Sequence, residues 1–201
     1  MKTANQITLI RLCLAFILPF FLMSAMPFAK TTGLALFILA ALTDYWDGAI
    51  ARRHGSATIF GKLMDPLADK VLICSAFICF TAQNQIVPAW IVVIIMAREF
   101  MVTGIRLLAA NQGVVVEAGR WGKHKTVWQI AVIIIIITGE AIRDDFLPMI
   151  ILHPNLDLFL NKYNAYFGYL TYGISALVAF LTVISGTVYF WQCRKLVMKD
   201  V

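Results

Sequence analysis

The chain reads Asp44-Tyr-Trp-Asp47-Gly48-Ala-Ile-Ala51-Arg52 and, after eight further residues, Gly61-Lys-Leu-Met-Asp65-Pro-Leu-Ala-Asp69. The first two aspartates are three residues apart and the last two are four apart, so each pair lies along one face of its predicted helix. A short connection is predicted to bring the two helices back antiparallel. The four carboxylates are then expected to surround a common point.

Carboxylates in an apolar helix are costly and need a compensating cation. On insertion scales each one costs roughly 2.5 to 3.5 kcal/mol, so four together cost on the order of 10 kcal/mol. A single Asp is usually explained by snorkelling or by pairing with a nearby base, here Arg52, Arg53, Lys62 or Lys70. Four carboxylates without His or Cys instead favour two Mg²⁺ or Mn²⁺ ions, with coordination sites left for phosphate oxygens. The pattern indicates a two-metal phosphoryl-transfer site.

The composition is that of a membrane protein. Of 201 residues, 61% are hydrophobic and 14% are charged, and the mean hydropathy is +0.81. A spanning helix needs roughly 20 mostly apolar residues. Apolar runs lie at about 7–27, 33–53, 63–82, 86–109, 126–142 and 166–191. They predict an all-α protein of six transmembrane helices that forms one domain, residues 1–201.

The basic residues predict an orientation and a partner. Most of them share one side of the predicted membrane with Lys2: Arg52, Arg53, Lys62, Arg120, Lys123, Lys125, Arg194, Lys195 and Lys199. The positive-inside rule then places both termini and the acidic motif in the cytoplasm, in a membrane of the bacterial inner type. The formal charge of +6 is explained by anionic lipids rather than nucleic acid. The four cysteines form no C-x-x-C pair, so no zinc site or disulfide framework is predicted.

Two local features bear on the helix boundaries. Residues 143–165 mix acids and prolines with a short apolar piece, Met149 to Leu152, and are predicted to form an external or interfacial loop. Pro66 follows Asp65 directly, which predicts that the third helix starts or kinks there.

The motif D-x2-D-G-x2-A-R-x8-G-x3-D-x3-D matches at every position the signature of the CDP-alcohol phosphotransferases. Eight fixed residues arise by chance with a probability on the order of 10⁻¹⁰ per starting point. The chain further resembles the phosphatidylglycerophosphate synthase branch of that family in three segments: Asn5-Gln-Ile-Thr8-Leu-Ile-Arg11, Ala97-Arg98-Glu99-Phe100-Met-Val-Thr103-Gly104-Ile-Arg106 and Gly122-Lys123-His-Lys125-Thr126. With the motif, these segments cover roughly the first 130 residues.

The resemblance implies roles for individual residues. It makes Asp44, Asp47 and Asp65 metal ligands, and Asp69 both a general base and a further ligand. It implies a CDP site lined by Gly48, Ala51, Arg52, Gly61, Asn5 and Thr8. The phosphate of the acceptor is assigned to Arg98, Arg106, Lys123 and Lys125. For Arg98 a functional role is favoured over pairing with Glu99, because adjacent helical residues do not face each other.

The reaction implied is transfer of a phosphatidyl group from CDP-diacylglycerol to glycerol 3-phosphate, and the resemblance also suggests a homodimer. Within the family, the acceptor can instead be inositol phosphate, serine or phosphatidylglycerol, because the motif serves all of them. Outside the family, intramembrane acids can mark a cation transporter, but the inverted repeats and discontinuous helices typical of one are not found. A non-catalytic scaffold would not require four aspartates at fixed spacing.

Overall fold

A computed structural model describes residues 2–54, 59–83, 86–111, 120–150 and 156–197, and every regular element within these ranges is helical. The six long helices are α1 (Lys2–Met23), α2 (Ala29–His54), α3 (Ile59–Ala82), α4 (Ala89–Asn111), α5 (Arg120–Ala141) and α7 (Leu156–Val197). A π-helical turn, Ile142–Phe146, and the short helix α6, Leu147–Ile150, lie between α5 and α7. The prediction of an all-α fold is confirmed.

The length and apolar composition of the described helices do not confirm the prediction of six membrane spans. Among the described residues, one helical stretch, Leu158–Arg194, is long and apolar enough to cross a membrane. Shorter apolar stretches occupy Thr8–Met23, Ala29–Thr43 and Lys70–Ala82.

The predicted loop over residues 143–165 is largely wrong. The chain stays helical from 142 to 150, and α7 already begins at Leu156; residues 151–155 lie outside the described part. The early turns of α7 pack on α5: the Tyr163 hydroxyl donates to the carbonyl oxygen of Gly139 at 2.9 Å, and the Phe167 ring, on which Tyr163 stacks within α7, lies against Gly139. The contacts with α5 offset the polar composition on which the loop prediction was based.

Two prolines lie inside long helices. Helix α3 begins at Ile59, seven residues before Pro66, so the predicted start at that proline is wrong. Helix α1 likewise continues through Pro19. Proline is tolerated inside membrane helices where neighbouring groups satisfy the freed carbonyl.

The helices pack in a defined set of pairs. Helix α1 packs against α2 and α3, α4 packs against α7, and α5 packs against both α2 and α7. Buried side chains from all six long helices meet in the core, among them the fully buried Leu18, Phe37, Phe77 and Ile133. We call the end of the bundle that holds the last turns of α2 and the first turns of α3 the motif end.

The other end of the bundle, the opposite end, is held by hydrogen bonds between turns. The Lys30 ammonium donates to the carbonyl oxygen of Leu22 across the α1–α2 turn. Asp145 accepts from the backbone N–H and the hydroxyl of Thr31 at 2.8 and 2.7 Å, which satisfies a donor in the first turn of α2. These bonds fix the start of α2 against the end of α5.

Gly139 permits the close contact between α5 and α7. A Cβ atom at this position would lie 2.1 Å from Cε2 of Phe167. Gly139→Ala is therefore expected to lower the free energy of unfolding by about 1–3 kcal/mol through overpacking. Thermal unfolding in detergent measures this, with Gly168→Ala as the control, because no atom lies within 4 Å of a Cβ there. Equal midpoints for the two variants would contradict the packing of α5 on α7.

Candidate active site

The acidic motif is divided between two helices that meet at the motif end. Asp44 and Asp47 lie in the C-terminal half of α2, and Asp65 and Asp69 lie in the N-terminal half of α3. The two helices are joined by only four residues, 55–58. Their facing ends therefore cannot be more than roughly 18 Å apart.

The side chains of the motif lie outside the described residues. The same holds for Gly48, Ala51, Arg52 and Gly61 on these two helices and for Asn5 on α1. Helical spacing still places each aspartate pair on one face of its helix. Convergence of the four carboxylates therefore stays a prediction.

Helix α1 contributes two buried polar side chains beside the motif helices. Thr8 and Arg11 are 4% and 2% exposed, and their spacing of three places them on one face. Arg11 borders a cavity of about 40 Å³ together with Leu72 of α3 and Thr126 of α5. Both side chains thus point into the bundle, as a site-lining role requires, and not outward as an interfacial polar stripe would.

Helix α7 supports the two candidate acceptor arginines of α4. Nη2 of Arg98 donates to Oγ of Ser185 at 2.6 Å. The guanidinium carbon of Arg106 lies 5.5 Å from the ring centre of Tyr189, within the range of a cation–π interaction. The two arginines are eight residues apart and their partners four apart, so one face of α4 meets one face of α7. The structure brings Arg98 and Arg106 to the same interface.

A buried carboxylate, Glu99, lies at the centre of a charged cluster in the middle of the bundle. Its Oε2 lies 3.4 Å from Nζ of Lys70, and its Oε1 lies 3.5 Å from Nη1 of Arg98. The side-chain amide of Gln129 donates to Oε1 at 3.2 Å. We call Lys70, Arg98, Glu99 and Gln129 the Glu99 cluster. It joins α3, α4 and α5.

The Glu99 cluster bears on one expectation from the sequence. A functional role for Arg98 was favoured over pairing with Glu99; the two side chains do form an ion pair, and the functional role stays a prediction. Both side chains are long, so the guanidinium can curve back towards the carboxylate although the two Cβ atoms point apart. Burial strengthens that attraction, because the surroundings screen the charges less than water does.

The other candidate acceptor cations lie on α5. Lys123 and Lys125 occupy its first two turns, with side chains outside the described residues. Gln129 follows Lys125 by four residues and therefore shares its face of the helix. The face of α5 that carries Lys125 is thus the face that reaches Glu99.

A second charged cluster lies at the opposite end and has a structural explanation. Arg143 donates two hydrogen bonds to Asp144, at 2.6 and 2.8 Å, and these raise the pKa of its guanidinium. Its Nη2 lies 3.7 Å from Oε1 of the fully buried Glu140. Together with the Asp145–Thr31 bonds, this cluster holds the turn after α5 against α2. Its residues provide matched control positions for variants of the acidic motif and of the Glu99 cluster.

Gly186 makes room for Arg98 on α7. A Cβ atom there would lie 2.8 Å from Cγ of Arg98, close to the base of that side chain. Gly186→Ala should therefore displace Arg98. If Arg98 binds the acceptor phosphate as predicted, activity should fall about tenfold, because small misplacements of a substrate-binding group are costly. Gly173→Ala on the same helix is the control, since its Cβ would meet no atom within 4 Å. Equal turnover by the two variants would show that Arg98 is not held at this position.

The sequence model of CDP-alcohol phosphatidyltransferases matches residues 1–183, which is most of the 201-residue chain. The chain belongs to this family. As a CDP-alcohol phosphatidyltransferase, it shares the membrane association of the family. The match spans α1 to α5 and most of α7, so both the acidic motif and the face of α4 that bears Arg98 and Arg106 fall within it.

Curated proteins similar to this CDP-alcohol phosphatidyltransferase include three whose names state an activity. A Bacillus subtilis protein named CDP-diacylglycerol--glycerol-3-phosphate 3-phosphatidyltransferase is 39% identical over 175 residues, 85% of this chain and 79% of the relative. A Rickettsia bellii protein of the same name is 33% identical over 199 residues, 95% of this chain and 94% of the relative. A Mycobacterium tuberculosis protein named probable phosphatidylglycerophosphate synthase is 39% identical over 136 residues, 65% of this chain and 63% of the relative.

In this CDP-alcohol phosphatidyltransferase, several polar residues that contact the candidate arginines or Glu99 were not assigned a role from the sequence. Ser185 and Tyr189 carry no local signal, because their contacts with α4 span more than 80 residues. Lys70 was read only as a partner for the motif acids. Its place next to Asp69, together with a glutamate at mid-depth in the fourth apolar run, was the available clue.

Proposed function

We propose that this chain transfers the phosphatidyl group of CDP-diacylglycerol to sn-glycerol 3-phosphate, giving phosphatidylglycerophosphate and CMP, in phospholipid biosynthesis. The observation that carries the proposal is the α4–α7 face, where Arg98 and Arg106 are held by Ser185 and Tyr189. This face lies beside α3, which carries Asp69. A cationic face next to an acidic motif suits an acceptor that bears its own phosphate. The names of the Bacillus subtilis and Rickettsia bellii relatives support the same acceptor, glycerol 3-phosphate.

The donor set of the motif fits hard divalent cations. Asp44, Asp47, Asp65 and Asp69 supply carboxylate oxygens only, at spacings of three and four on two helices joined by four residues. We assign them to two Mg²⁺ or Mn²⁺ ions. Such ions, when bound, neutralise negative charge on the CDP diphosphate.

Asp69 is proposed as the general base. It accepts the proton of the attacking hydroxyl of glycerol 3-phosphate, whose oxygen forms a bond to the lipid-linked phosphorus. The bond from that phosphorus to the oxygen of CMP breaks, and CMP leaves with its own phosphate. The acceptor oxygen thus replaces the CMP oxygen on the phosphatidyl group.

The nucleotide is assigned to the faces of α1, α2 and α3 nearest the motif. Gly48 and Gly61 have no side chain, which lets phosphates approach the backbone closely. Thr8 is buried on α1, which packs against both motif helices. The remaining proposed CDP contacts are Asn5, Ala51 and Arg52.

The phosphate of glycerol 3-phosphate is assigned to four cations. Guanidinium groups bind phosphate through two parallel hydrogen bonds, so Arg98 and Arg106 give both charge and orientation. Lys123 and Lys125 would approach from the start of α5. Of the guanidinium nitrogens of Arg98, the buried Nε makes no hydrogen bond with any described residue.

The bundle is proposed to span the membrane six times as one domain, with both termini and the site on the cytoplasmic side, and to form a homodimer. Large apolar side chains project from the bundle surface, including Phe16 on α1, Trp90 on α4 and Tyr169 on α7, the last 79% exposed. Lipid tails are the natural surroundings for such a surface. Anionic head groups would then meet the basic clusters at the motif end.

The test is CMP release by the detergent-purified protein. CDP-diacylglycerol is supplied with and without glycerol 3-phosphate and with Mg²⁺, Mn²⁺ or a chelator. Release is expected only when acceptor and metal are both present. A parallel panel of inositol phosphate, serine and phosphatidylglycerol tests the acceptor. Release with one of these alone would replace glycerol 3-phosphate, and no release with any acceptor would overturn the enzymatic assignment.

A further inference from the structure

Glu99 is a buried carboxylate that the proposed chemistry does not use directly. It is 7% exposed and, among the described residues, it pairs with Lys70 and Arg98 and accepts a hydrogen bond from Gln129. A buried charge is tolerated only when it is paired and hydrogen-bonded. Glu99 meets that condition through three helices at once.

Each of the three partners described for Glu99 either is a group assigned to the reaction or lies close to one along its helix. Lys70 directly follows Asp69 on α3, so anchoring Lys70 fixes the rotation of the helix that carries the proposed base. Gln129 lies one turn after Lys125 on the same face of α5. Arg98 is itself a proposed phosphate ligand. A single carboxylate therefore sets the relative positions of the proposed base and two of the acceptor cations.

Arg98 is held from two sides, which defines its orientation. Nη1 faces Glu99 at 3.5 Å and Nη2 donates to Ser185 at 2.6 Å. A guanidinium is planar, so two fixed nitrogens fix the direction of the whole group. Without the carboxylate, Ser185 alone leaves the group free to rotate about one contact.

We propose that Glu99 is a positioning residue for the acceptor, one that orients Arg98 to receive the phosphate of glycerol 3-phosphate and holds Lys70 beside Asp69. This rests on the proposed function. Glu99 does not contact the substrate in this proposal, because a carboxylate repels a phosphate dianion. It acts through the cations that it pairs.

A purely structural role for Glu99 makes a different prediction. If the cluster only held the helices together, neutralising Glu99 would lower stability and the amount of active enzyme, and the KM values for both substrates would stay the same. If Glu99 orients Arg98, the KM for glycerol 3-phosphate rises alone. The separation of the two KM values is therefore the decisive readout.

The experiment compares Glu99→Gln and Glu99→Asp with the wild-type protein in detergent. Glu99→Gln removes the charge at nearly constant volume, and Glu99→Asp keeps the charge. The matched control is Glu140→Gln, which replaces the carboxyl group of a fully buried glutamate at the opposite end of the bundle. CMP release is measured against glycerol 3-phosphate and, separately, against CDP-diacylglycerol.

Glu99→Gln is expected to raise the KM for glycerol 3-phosphate about tenfold, which corresponds to about 1.4 kcal/mol. The KM for CDP-diacylglycerol should change by less than about twofold, since that substrate binds elsewhere. Glu99→Asp should recover most of the loss, and Glu140→Gln should leave both KM values unchanged. The rise in melting temperature caused by glycerol 3-phosphate should shrink in Glu99→Gln, and that readout does not depend on turnover.

Several outcomes would overturn the proposal. An unchanged KM for glycerol 3-phosphate in Glu99→Gln would do so, as would an equal rise in both KM values or an equal rise in the Glu140→Gln control. If glycerol 3-phosphate neither stimulates CMP release by the wild-type protein nor raises its melting temperature, the proposed function is overturned, and the role of Glu99 with it. The wild-type measurement thus separates the two failures.

Discussion

Asp69→Asn is expected to lower glycerol 3-phosphate-dependent CMP release by about 10²- to 10⁴-fold, the range typical of a lost general base. The amide has nearly the shape of the carboxylate but cannot accept the proton of the attacking hydroxyl. It also removes one negative charge from the four-carboxylate motif. The loss should therefore appear in kcat at saturating substrates, as measured by CMP release in detergent.

The control for Asp69 is an aspartate far from the motif. Asp144 lies at the opposite end, where it pairs with Arg143. Asp144→Asn should retain kcat within about threefold, since it removes a peripheral ion pair of the kind that contributes little. Raising the Mg²⁺ concentration should not restore Asp69→Asn if the proton transfer is what is lost. Near-normal turnover by Asp69→Asn would refute the assignment of the base.

Arg98→Ala is expected to lower kcat/KM for glycerol 3-phosphate about 10²-fold, because truncating one partner of a buried charge pair commonly costs 2–5 kcal/mol. Most of the effect should lie in KM for the acceptor, with KM for CDP-diacylglycerol nearly unchanged. Arg98→Lys should recover only part of the loss, since an ammonium cannot contact Glu99, Ser185 and the phosphate with one planar fork.

Arg143→Ala is the matched control for Arg98. The two arginine side chains are similarly buried, 11% and 10% exposed, and both lie beside a buried glutamate. They differ in position, since Arg143 lies at the opposite end. Arg143→Ala should lower the melting temperature without changing either KM. A rise in the acceptor KM of similar size in both variants would mean that general destabilisation, and not phosphate binding, explains the effect.

Local patterns in the sequence were enough to predict the helices and the motif. Runs of apolar residues define helices wherever the bilayer is the solvent, since backbone groups must be satisfied within the helix. The acidic motif was found because carboxylates are rare in such runs. The family match supports the same segment, and the convergence of Asp44, Asp47, Asp65 and Asp69 stays a prediction.

Long-range contacts explain what the sequence did not predict. Helix α7 begins at Leu156 because Tyr163 packs on α5, and no pattern near 156 signals that contact. Pairing of Arg98 with Glu99 was ranked below a functional role by a rule for neighbouring helical residues that ignores side-chain length, and the structure shows the pair. Ser185 lies in an apolar helix with no local signal of a function, and its contact with Arg98 depends on the packing of α7 against α4.

The order in which the helices are synthesised affects how the bundle can assemble. Helices α1, α2 and α3 are made before α4, α5 and α7 and pack on one another, so they can associate before those later helices have been inserted. Helix α4 packs mainly on α7, which follows it by more than 40 residues. A nascent chain would thus complete the proposed nucleotide-binding half early, whereas the half proposed to receive the acceptor forms only after α7 has been made.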